Sequence, residues 1–312
     1  MRALVTGGNG FIGAEVVKQL LATDAEVTVF HRSANTARLS DVADRVRFQR
    51  GDLGVFSHVL DAVKQARPDT IFHFGAMLSI PSDADPPAAM QANVLGTFHV
   101  LEAARLFDVR QVVFASSIGV YGGDIEDDII SDNTLQRPAL FYGATKVFGE
   151  LTGLFYRRKY GLDFRGLRYP SIVGPGVHTP GVVQYTSWVI EECGRGEPFT
   201  ITVDPSTRVP VLYYKDAARA ALQITQPEME QIKTVNYLVN GVEPMATAGE
   251  LADLVRTKVP GAQISFDPNR ELQPLLDKLL RPLDDSRARA EWGWAPEYDQ
   301  ARMVDDFLRE IG

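Results

Sequence analysis

The sequence predicts an α/β protein: a doubly wound parallel sheet with a smaller C-terminal α+β lobe. Two observations carry this reading. Up to about residue 120, short β-rich apolar runs alternate with longer helical patterns. Strands that read as near-continuous apolar runs are buried on both faces, and the helices between them place parallel neighbours side by side. Right-handed crossovers then wind those helices onto both faces of the sheet. After Gly174 the regularity stops, and the chain becomes richer in Pro and Gly.

Ala3–Thr6 reads as a buried strand, followed by a glycine turn and a helix over Phe11–Ala22. Further strands are expected at Glu26–His31, Val46–Gln49, Thr70–Phe74 and Gln111–Ala115, with helices near Ser57–Ala66 and Ala88–Phe107. Tyr142–Tyr160 reads as a long helix and Asp163–Val173 as a strand. Beyond Gly174, helices are expected near Val182–Arg195, Lys215–Thr225, Thr247–Lys258 and Gln300–Glu310. Short strands fall at Phe199–Val203, Val235–Val239 and Gln263–Phe266. The division is a first unit over residues 1–175 and a lobe drawn mainly from 176–312, with some segments returning to the first unit.

The chain has 312 residues, 45% hydrophobic and 23% charged, the balance of a soluble globular protein rather than a disordered or fibrous one. Its 32 basic and 40 acidic side chains leave a net charge of −8. That balance argues against nucleic acid or an anionic membrane as partner. The single cysteine, Cys193, excludes an internal disulfide and a multi-cysteine zinc site. No apolar run approaches the ~18 residues of a transmembrane helix. The N-terminus MRALVTGG lacks the apolar core of a signal peptide. A reducing, cytoplasmic compartment is expected. The acidic stretch Asp124–Asp128 lacks the pattern of a coordinating turn and reads as a solvated loop, and no metal is expected.

The strongest local signal is VTGGNGFIG, Val5 to Gly13, which follows a predicted strand and opens a predicted helix. Gly7 permits the tight turn, Gly10 lets backbone approach a pyrophosphate, and Gly13 lets helix and sheet pack closely. The helix N-terminus then offers unpaired N–H groups and about half a positive charge to the phosphates. Residues 1–175 are therefore read as a dinucleotide-binding unit. At the end of the second strand, VTVFHRS, no acid awaits a ribose 2′-hydroxyl. His31 and Arg32 stand there instead, and a guanidinium could pair with a 2′-phosphate, with Arg38 adding to it. This favours NADP, with NAD as the alternative. Asp52, in GDL, lies where it could bond an adenine amino group or cap the next helix. His73 reads as a packed strand-end histidine rather than a base.

Tyr142 and Lys146 form Y-x-x-x-K at a predicted helix start, so they share one helix face. A free tyrosine, with a pKa near ~10, is too weakly acidic to serve as a base at neutral pH. A neighbouring cation favours its phenolate. Tyr142 could then exchange a proton with a substrate hydroxyl as hydride moves at the same carbon. Ser117, at the C-terminal end of the fifth predicted strand, could orient the substrate oxygen.

TGGNGFIG, GDL, HFGA, NVLGTFHVLEAA, SSIGVYG, YGATK and RYPSIVGPG stand in that order over about the first 176 residues. Together they make the chain resemble the extended short-chain dehydrogenases/reductases, the family of nucleotide-sugar epimerases and dehydratases. The resemblance implies a Rossmann fold with Ser117, Tyr142 and Lys146 as catalytic residues. It implies cofactor contacts from Gly7, Gly10, Phe11, Ile12 and Gly13, from His31 and Arg32, and from Asp52 and Leu53. Further contacts are implied for Phe74, Gly75 and Ala76, for Asn93 and Lys146, and for Tyr169 and Ile172. Substrate contacts are implied for Leu78, Ser79, Ser117, Ile118, Gly119, Tyr142, Ser171, Val182 and Val183. It also implies a homodimer through a four-helix bundle made by the helices containing Asn93–Phe107 and Lys146–Tyr160.

Nucleotide-sugar members carry an arginine within the segment that reads RVPVLYYKDAARA here. The matching position is Val209, and Arg208 is one residue off, which on a strand reverses the face. Along the whole length the pattern is more similar to the short-chain type of L-threonine 3-dehydrogenase, through GAMLS, VNYLVNG, ISFDPNRELQ and DDSRARAEWGW. That branch carries adjacent threonines where Val182 and Val183 stand, and valines cannot hydrogen-bond a zwitterion. The expected activity is an NAD(P)-dependent oxidoreductase that interconverts a secondary alcohol and a ketone on a small, non-nucleotide substrate. The alternatives are a nucleotide-sugar epimerase/dehydratase with tightly bound NAD, an L-threonine 3-dehydrogenase, and a non-catalytic dinucleotide sensor.

Overall fold

A computed structural model describes residues 1–179, 181, 183–271 and 273–312. Its strands are β1 (Arg2–Thr6), β2 (Glu26–His31), β3 (Val46–Arg50), β4 (Thr70–His73), β5 (Gln111–Ser117) and β6 (Asp163–Tyr169), then β7 (Ser171–Val173), β8 (Phe199–Ile201), β9 (Val211–Tyr213), β10 (Asn236–Leu238) and β11 (Ile264–Phe266). Seven of them form one parallel sheet in the order β10-β6-β5-β4-β1-β2-β3. The order reverses between β1 and β4, which opens a ligand crevice at the C-terminal ends of those strands. Two small parallel pairs, β7 with β9 and β8 with β11, lie outside it.

The helices are α1 (Phe11–Leu21), α2 (Phe56–Ala66), α3 (Ser79–Ala84), α4 (Pro86–Ala89), α5 (Gly96–Leu106) and α6 (Phe141–Tyr160). They continue with α7 (Tyr185–Gly194), α8 (Tyr214–Gln223), α9 (Ala248–Lys258), α10 (Gln273–Leu279), α11 (Ser286–Trp292) and α12 (Gln300–Ile311). Strand side chains alternate, so each face of the sheet builds its own core. Val5 and Val29 face α1 and α8, where they meet Val16, Leu20, Ala217 and Ala221. Leu4, Ile71 and Phe114 face the other way, onto Val59, Val63, Val100 and Leu101 of α2 and α5. A separate lobe core gathers Val189, Ile190, Val209, Val211, Leu251 and Phe307.

Two expected elements differ. The strand expected over Asp163–Val173 is two strands, because the chain leaves the main sheet at Pro170, and β7 pairs with β9 instead. Proline has no N–H to give a ladder. The helix expected over Ala88–Phe107 widens to a π-helical turn at Met90–Leu95 before α5. Elements without a strong apolar period, such as α3, α10 and the 3₁₀ turns over Ala37–Arg45, were not legible in advance. Among the described residues, no helix is long and apolar enough to cross a membrane.

Helix α6 lies unusually close to the sheet. A Cβ on Gly149 would sit 2.5 Å from the Phe114 ring, and one on Gly153 would sit 2.3 Å from the Phe164 ring. Alanine at an exposed helix position gains up to about 1 kcal/mol over glycine. Here overpacking opposes that gain and costs about 1–3 kcal/mol or more. Gly153→Ala should therefore lower stability, by about 1–2 kcal/mol net, read as a lower urea midpoint at unchanged slope. A stabilised variant would show that the helix can stand back from the sheet at no cost.

Candidate active site

The turn between β1 and α1 is built without side chains. Gly7 sits at φ +67°, and a Cβ there would lie 2.8 Å from the backbone of Gly75. A Cβ on Gly13 would lie 2.3 Å from the Gly7 carbonyl oxygen. The Gly10 N–H donates to the Gly7 carbonyl at 2.8 Å and closes the turn. Helix α1 begins with no side-chain cap and no acid in its first turn. Its leading N–H groups and positive dipole end are thus unanswered by the protein, as an anion site requires. These residues fit the pyrophosphate of a dinucleotide. Ile12 packs its side chain into the main core. Phe11 stacks on Tyr214 at 5.6 Å between ring centroids, with the Arg38 guanidinium 5.3 Å from its own centroid.

At the end of β2 the expected residues separate. His31 is buried, with Nδ1 2.6 Å from the Ser33 carbonyl oxygen and its ring edge-on to Phe48. It serves packing rather than an open contact. Arg32 is exposed and makes no hydrogen bond among the described residues. Arg38 is engaged elsewhere: it donates to the Gly176 carbonyl and covers Phe11, so it clamps this edge to the second lobe. Its burial lowers the guanidinium's ordinary basicity. Asp52 does not cap α2; it accepts from the Gly54 N–H at 2.8 Å in a local turn. Leu53 reaches the position a Gly75 side chain would need.

At the ends of β5 and α6 the structure brings Ser117, Tyr142 and Lys146 together. The Gly119 N–H donates to Ser117 Oγ at 3.0 Å, which leaves the serine proton to donate onward. The Ser117 hydroxyl bonds the Tyr142 phenol and favours its ionised form, but burial outweighs this and pushes the phenol up to about 12. Lys146 is 4% exposed. Its Nζ donates to the Ala115 carbonyl at 2.7 Å and lies 5.5 Å from the Tyr142 ring centroid. Burial lowers its ammonium to about 8, and Glu150 opposes the fall. The expectation that Lys146 lowers the Tyr142 pKa does not describe the protein by itself. Desolvation is the larger effect on the phenol. His73 is fully packed between Thr6 and Thr97 hydroxyls, and burial holds it down to about 3, so it stays neutral.

The remaining expected residues ring this cleft unevenly. Phe74 is half-buried, 6.2 Å from the Tyr169 ring, and Ala76 is half-buried next to it. Tyr169 sends its hydroxyl away to the Ala217 carbonyl at 2.9 Å, and Ile172 packs against both the main and lobe cores. Asn93, expected at the cofactor, instead uses its amide within the protein. It accepts from the Met77 N–H at 2.7 Å and donates to the Met77 carbonyl and Thr145 Oγ1. The π-helical turn presents it for that task, which ties the loop after β4 to α6. Leu78 is exposed, while Ser79, Ile118 and Gly119 are half-buried. Ser171 Oγ is buried without a partner among the described residues. Val183 packs against the lobe core, and Val182 lies outside the described residues.

Sequence reasoning passed over Glu150 and Arg168. They form a buried bidentate ion pair between α6, which carries Tyr142 and Lys146, and β6, with Nη2 to Oε2 at 2.6 Å. A signal existed: Glu150 follows Lys146 at i+4, on the glycine-bearing face that turns to the sheet.

Residues 3–237 match the family described as NAD dependent epimerase/dehydratase. The mitochondrial L-threonine 3-dehydrogenase of Sus scrofa is 30% identical over 322 aligned positions, covering 100% of this chain and 83% of that protein. The solved L-threonine dehydrogenase of Clostridium difficile superposes with a TM-score of 0.90 at 26% identity, covering 99% of this chain and 97% of that one. The UDP-glucose 4-epimerase of Thermus thermophilus, solved in complex with NAD, has a TM-score of 0.83 at 30% identity and full coverage of both chains. With its seven-stranded parallel sheet and glycine turn, this chain is an NAD-dependent oxidoreductase-type enzyme and belongs to the NAD dependent epimerase/dehydratase family.

Proposed function

We propose that this enzyme interconverts a secondary alcohol and a ketone on a small, non-nucleotide substrate, with Tyr142 as the acid/base. The observation that carries the reading is the meeting of Ser117, Tyr142 and Lys146 at the C-terminal end of β5. The glycine turn, the first turn of α1 and Lys146 would hold the dinucleotide, and a bound nicotinamide would supply hydride exchange at the carbinol carbon. Ser117, its oxygen fixed by the Gly119 N–H, donates to the substrate oxygen. Tyr142 takes the hydroxyl proton in oxidation and returns it to the carbonyl oxygen in reduction. Lys146 keeps positive charge beside the phenol below a pH of about 8. That charge favours the phenolate when the base is needed.

The substrate class follows from the lobe. Val209 is 3% exposed in the lobe core, where a sugar-diphosphate substrate calls for an arginine. Arg208 points outward, donates to the Met245 carbonyl and approaches Glu250 at 3.8 Å. Val183 stands where the threonine dehydrogenase branch carries a threonine, and a valine cannot hydrogen-bond a zwitterion, which favours a less polar substrate. For the cofactor, the free guanidinium of Arg32 and the absence of an acid at the end of β2 favour NADP, within a family that is NAD-dependent. A reducing, cytoplasmic setting suits a chain whose Cys193 is buried and unpaired.

Exposed apolar surface supports a homodimer. Phe148, Leu151, Phe155 and Tyr160 line one exposed face of α6, and Leu95, Phe98 and Leu106 are exposed on and beside α5. Monomers rarely leave such a stripe to water, and two copies packing these faces would bury it in a four-helix bundle.

Alcohols, ketones and L-threonine, offered with either cofactor and followed by nicotinamide absorbance, test the activity. Turnover with a freely exchanging cofactor is expected, and Tyr142→Phe should abolish it while sparing cofactor binding. A cofactor retained through gel filtration, with epimerisation of a nucleotide sugar, would overturn the substrate assignment. So would threonine oxidation at the rate of a dedicated enzyme. Arg32→Asp should weaken NADP binding by tenfold or more, because about 1.5–3 kcal/mol of charge-assisted bonding is lost, and leave NAD binding nearly unchanged. Equal effects on both cofactors would remove the role given to Arg32. Leu151→Arg should convert a dimer to a monomer in light scattering; a monomeric parent protein would refute the bundle.

A further inference from the structure

The mechanism above gives no task to the buried ion pair one helical turn beyond Lys146. Glu150 is 1% exposed and Arg168 is 5% exposed. The Glu150 carboxylate accepts four hydrogen bonds: from Ser116 Oγ at 2.5 Å, Gln136 Nε2 at 2.6 Å, and Arg168 Nε and Nη2 at 2.9 and 2.6 Å. Arg168 in turn donates to the Tyr121 hydroxyl and the Asp132 carbonyl, both at 2.9 Å. The network ties together β5, β6, α6 and the segment before α6. Ser116 precedes Ser117 on β5, Arg168 precedes Tyr169 on β6, and Gln136 and Asp132 lie between the Ile118–Val120 turn and α6.

We propose that Glu150 is a positioning residue for the Ser117–Tyr142–Lys146 set: it clamps the ends of β5 and β6 to α6 and keeps the buried Lys146 side chain charged. The proposal rests on the oxidoreductase reading, since that reading is what gives Lys146 its task. A buried ammonium has lost its hydration and needs compensation. From β5, Lys146 receives only the Ala115 carbonyl and the face of the Phe114 ring, 4.9 Å from its centroid. From β4 it faces His73, which is neutral. On α6 it has Tyr142, which burial keeps protonated, and Glu150 one turn on. Glu150 is thus the anion that supports it among the described residues, and Arg168 holds that anion in place from β6.

The test is a pH titration of the full chain carrying lysine isotope-labelled at Cε, with the Lys146 resonance assigned by Lys146→Arg. In the parent protein Lys146 should titrate near 8. In Glu150→Gln its midpoint should fall by about one pH unit, and Glu150→Asp should restore most of the shift. Because Glu150→Gln strands a buried guanidinium, the paired variant Glu150→Gln with Arg168→Gln carries the same titration in a neutral setting. The high-pH limb of the rate profile should move down with the Lys146 midpoint. A Lys146 midpoint unmoved in the folded glutamine variants would overturn the proposal while leaving the Tyr142 mechanism intact. Full turnover in Tyr142→Phe would overturn the mechanism while leaving the titration to stand.

Discussion

The structure depends on how closely α6 can lie on the sheet. Three glycines set that distance. A Cβ on Gly143 would meet the Gly119 carbonyl oxygen at 2.0 Å, and Gly149 and Gly153 admit the Phe114 and Phe164 rings. Each is a place where a methyl group would push the helix outward. The chemistry needs the short distance. Lys146 reaches the Ala115 carbonyl at 2.7 Å, and Glu150 reaches Ser116 at 2.5 Å. A helix standing back by about an ångström would break both bonds and leave the buried Lys146 ammonium without its hydrogen-bond partner. The glycines, the lysine and the glutamate are therefore one device, read along a single helix.

Burial works against the charges this site uses. It pushes the Tyr142 phenol up to about 12 and brings the Lys146 ammonium down to about 8. Both shifts favour the neutral forms. Under the proposed mechanism a neutral phenol already suits the reductive direction, in which Tyr142 would give a proton. Oxidation asks for the phenolate, so positive charge must be kept near it. The molecule as a whole does not help an anionic cofactor either, since its net charge is −8. Attraction has to be local: the uncapped start of α1 can supply it, and the proposed reading adds Arg32 and Lys146.

Much of the fold was legible because its signals are local. Glu26–His31 and the boundaries of α6 and α9 follow from apolar period, a glycine stop at Gly161 and a Thr247–Glu250 capping box. Pro170 also gave warning, yet reading Asp163–Val173 as one strand ignored it, because the change of sheet is set by β9, far along the chain. The placing of Tyr142 and Lys146 one turn apart on α6 was legible because a motif fixes their spacing. The site was not legible where a side chain's direction decides. Asn93 and Tyr169 stand in the expected segments but spend their polar groups on Thr145 and Ala217. His31 and Arg32 are neighbours, and alternation sends one inward and leaves the other in water. Arg168 was hidden for a related reason: a strand read as apolar carries a guanidinium whose partner lies on α6.

The second lobe shows why one platform can carry different substrates. Threonine dehydrogenases and UDP-glucose epimerases superpose on this chain over nearly its whole length. What separates the activities must then lie in single positions rather than in architecture. Residues 208 to 213 are such a place. Val209, Val211 and Tyr213 point into the lobe core, and Leu212 points into the main core. Arg208 therefore has to point out, and its side chain is 50% exposed. Moving a guanidinium to the inward face by a shift of register would carry Val209, Val211 and Tyr213 out of the core together. The pairing of this segment with β7 would be lost with them. An inward arginine can be reached only by substitution at position 209, and the lobe core has closed over a valine there. Under the proposed reading, the packing that stabilises the lobe thus also weighs against a sugar-diphosphate substrate.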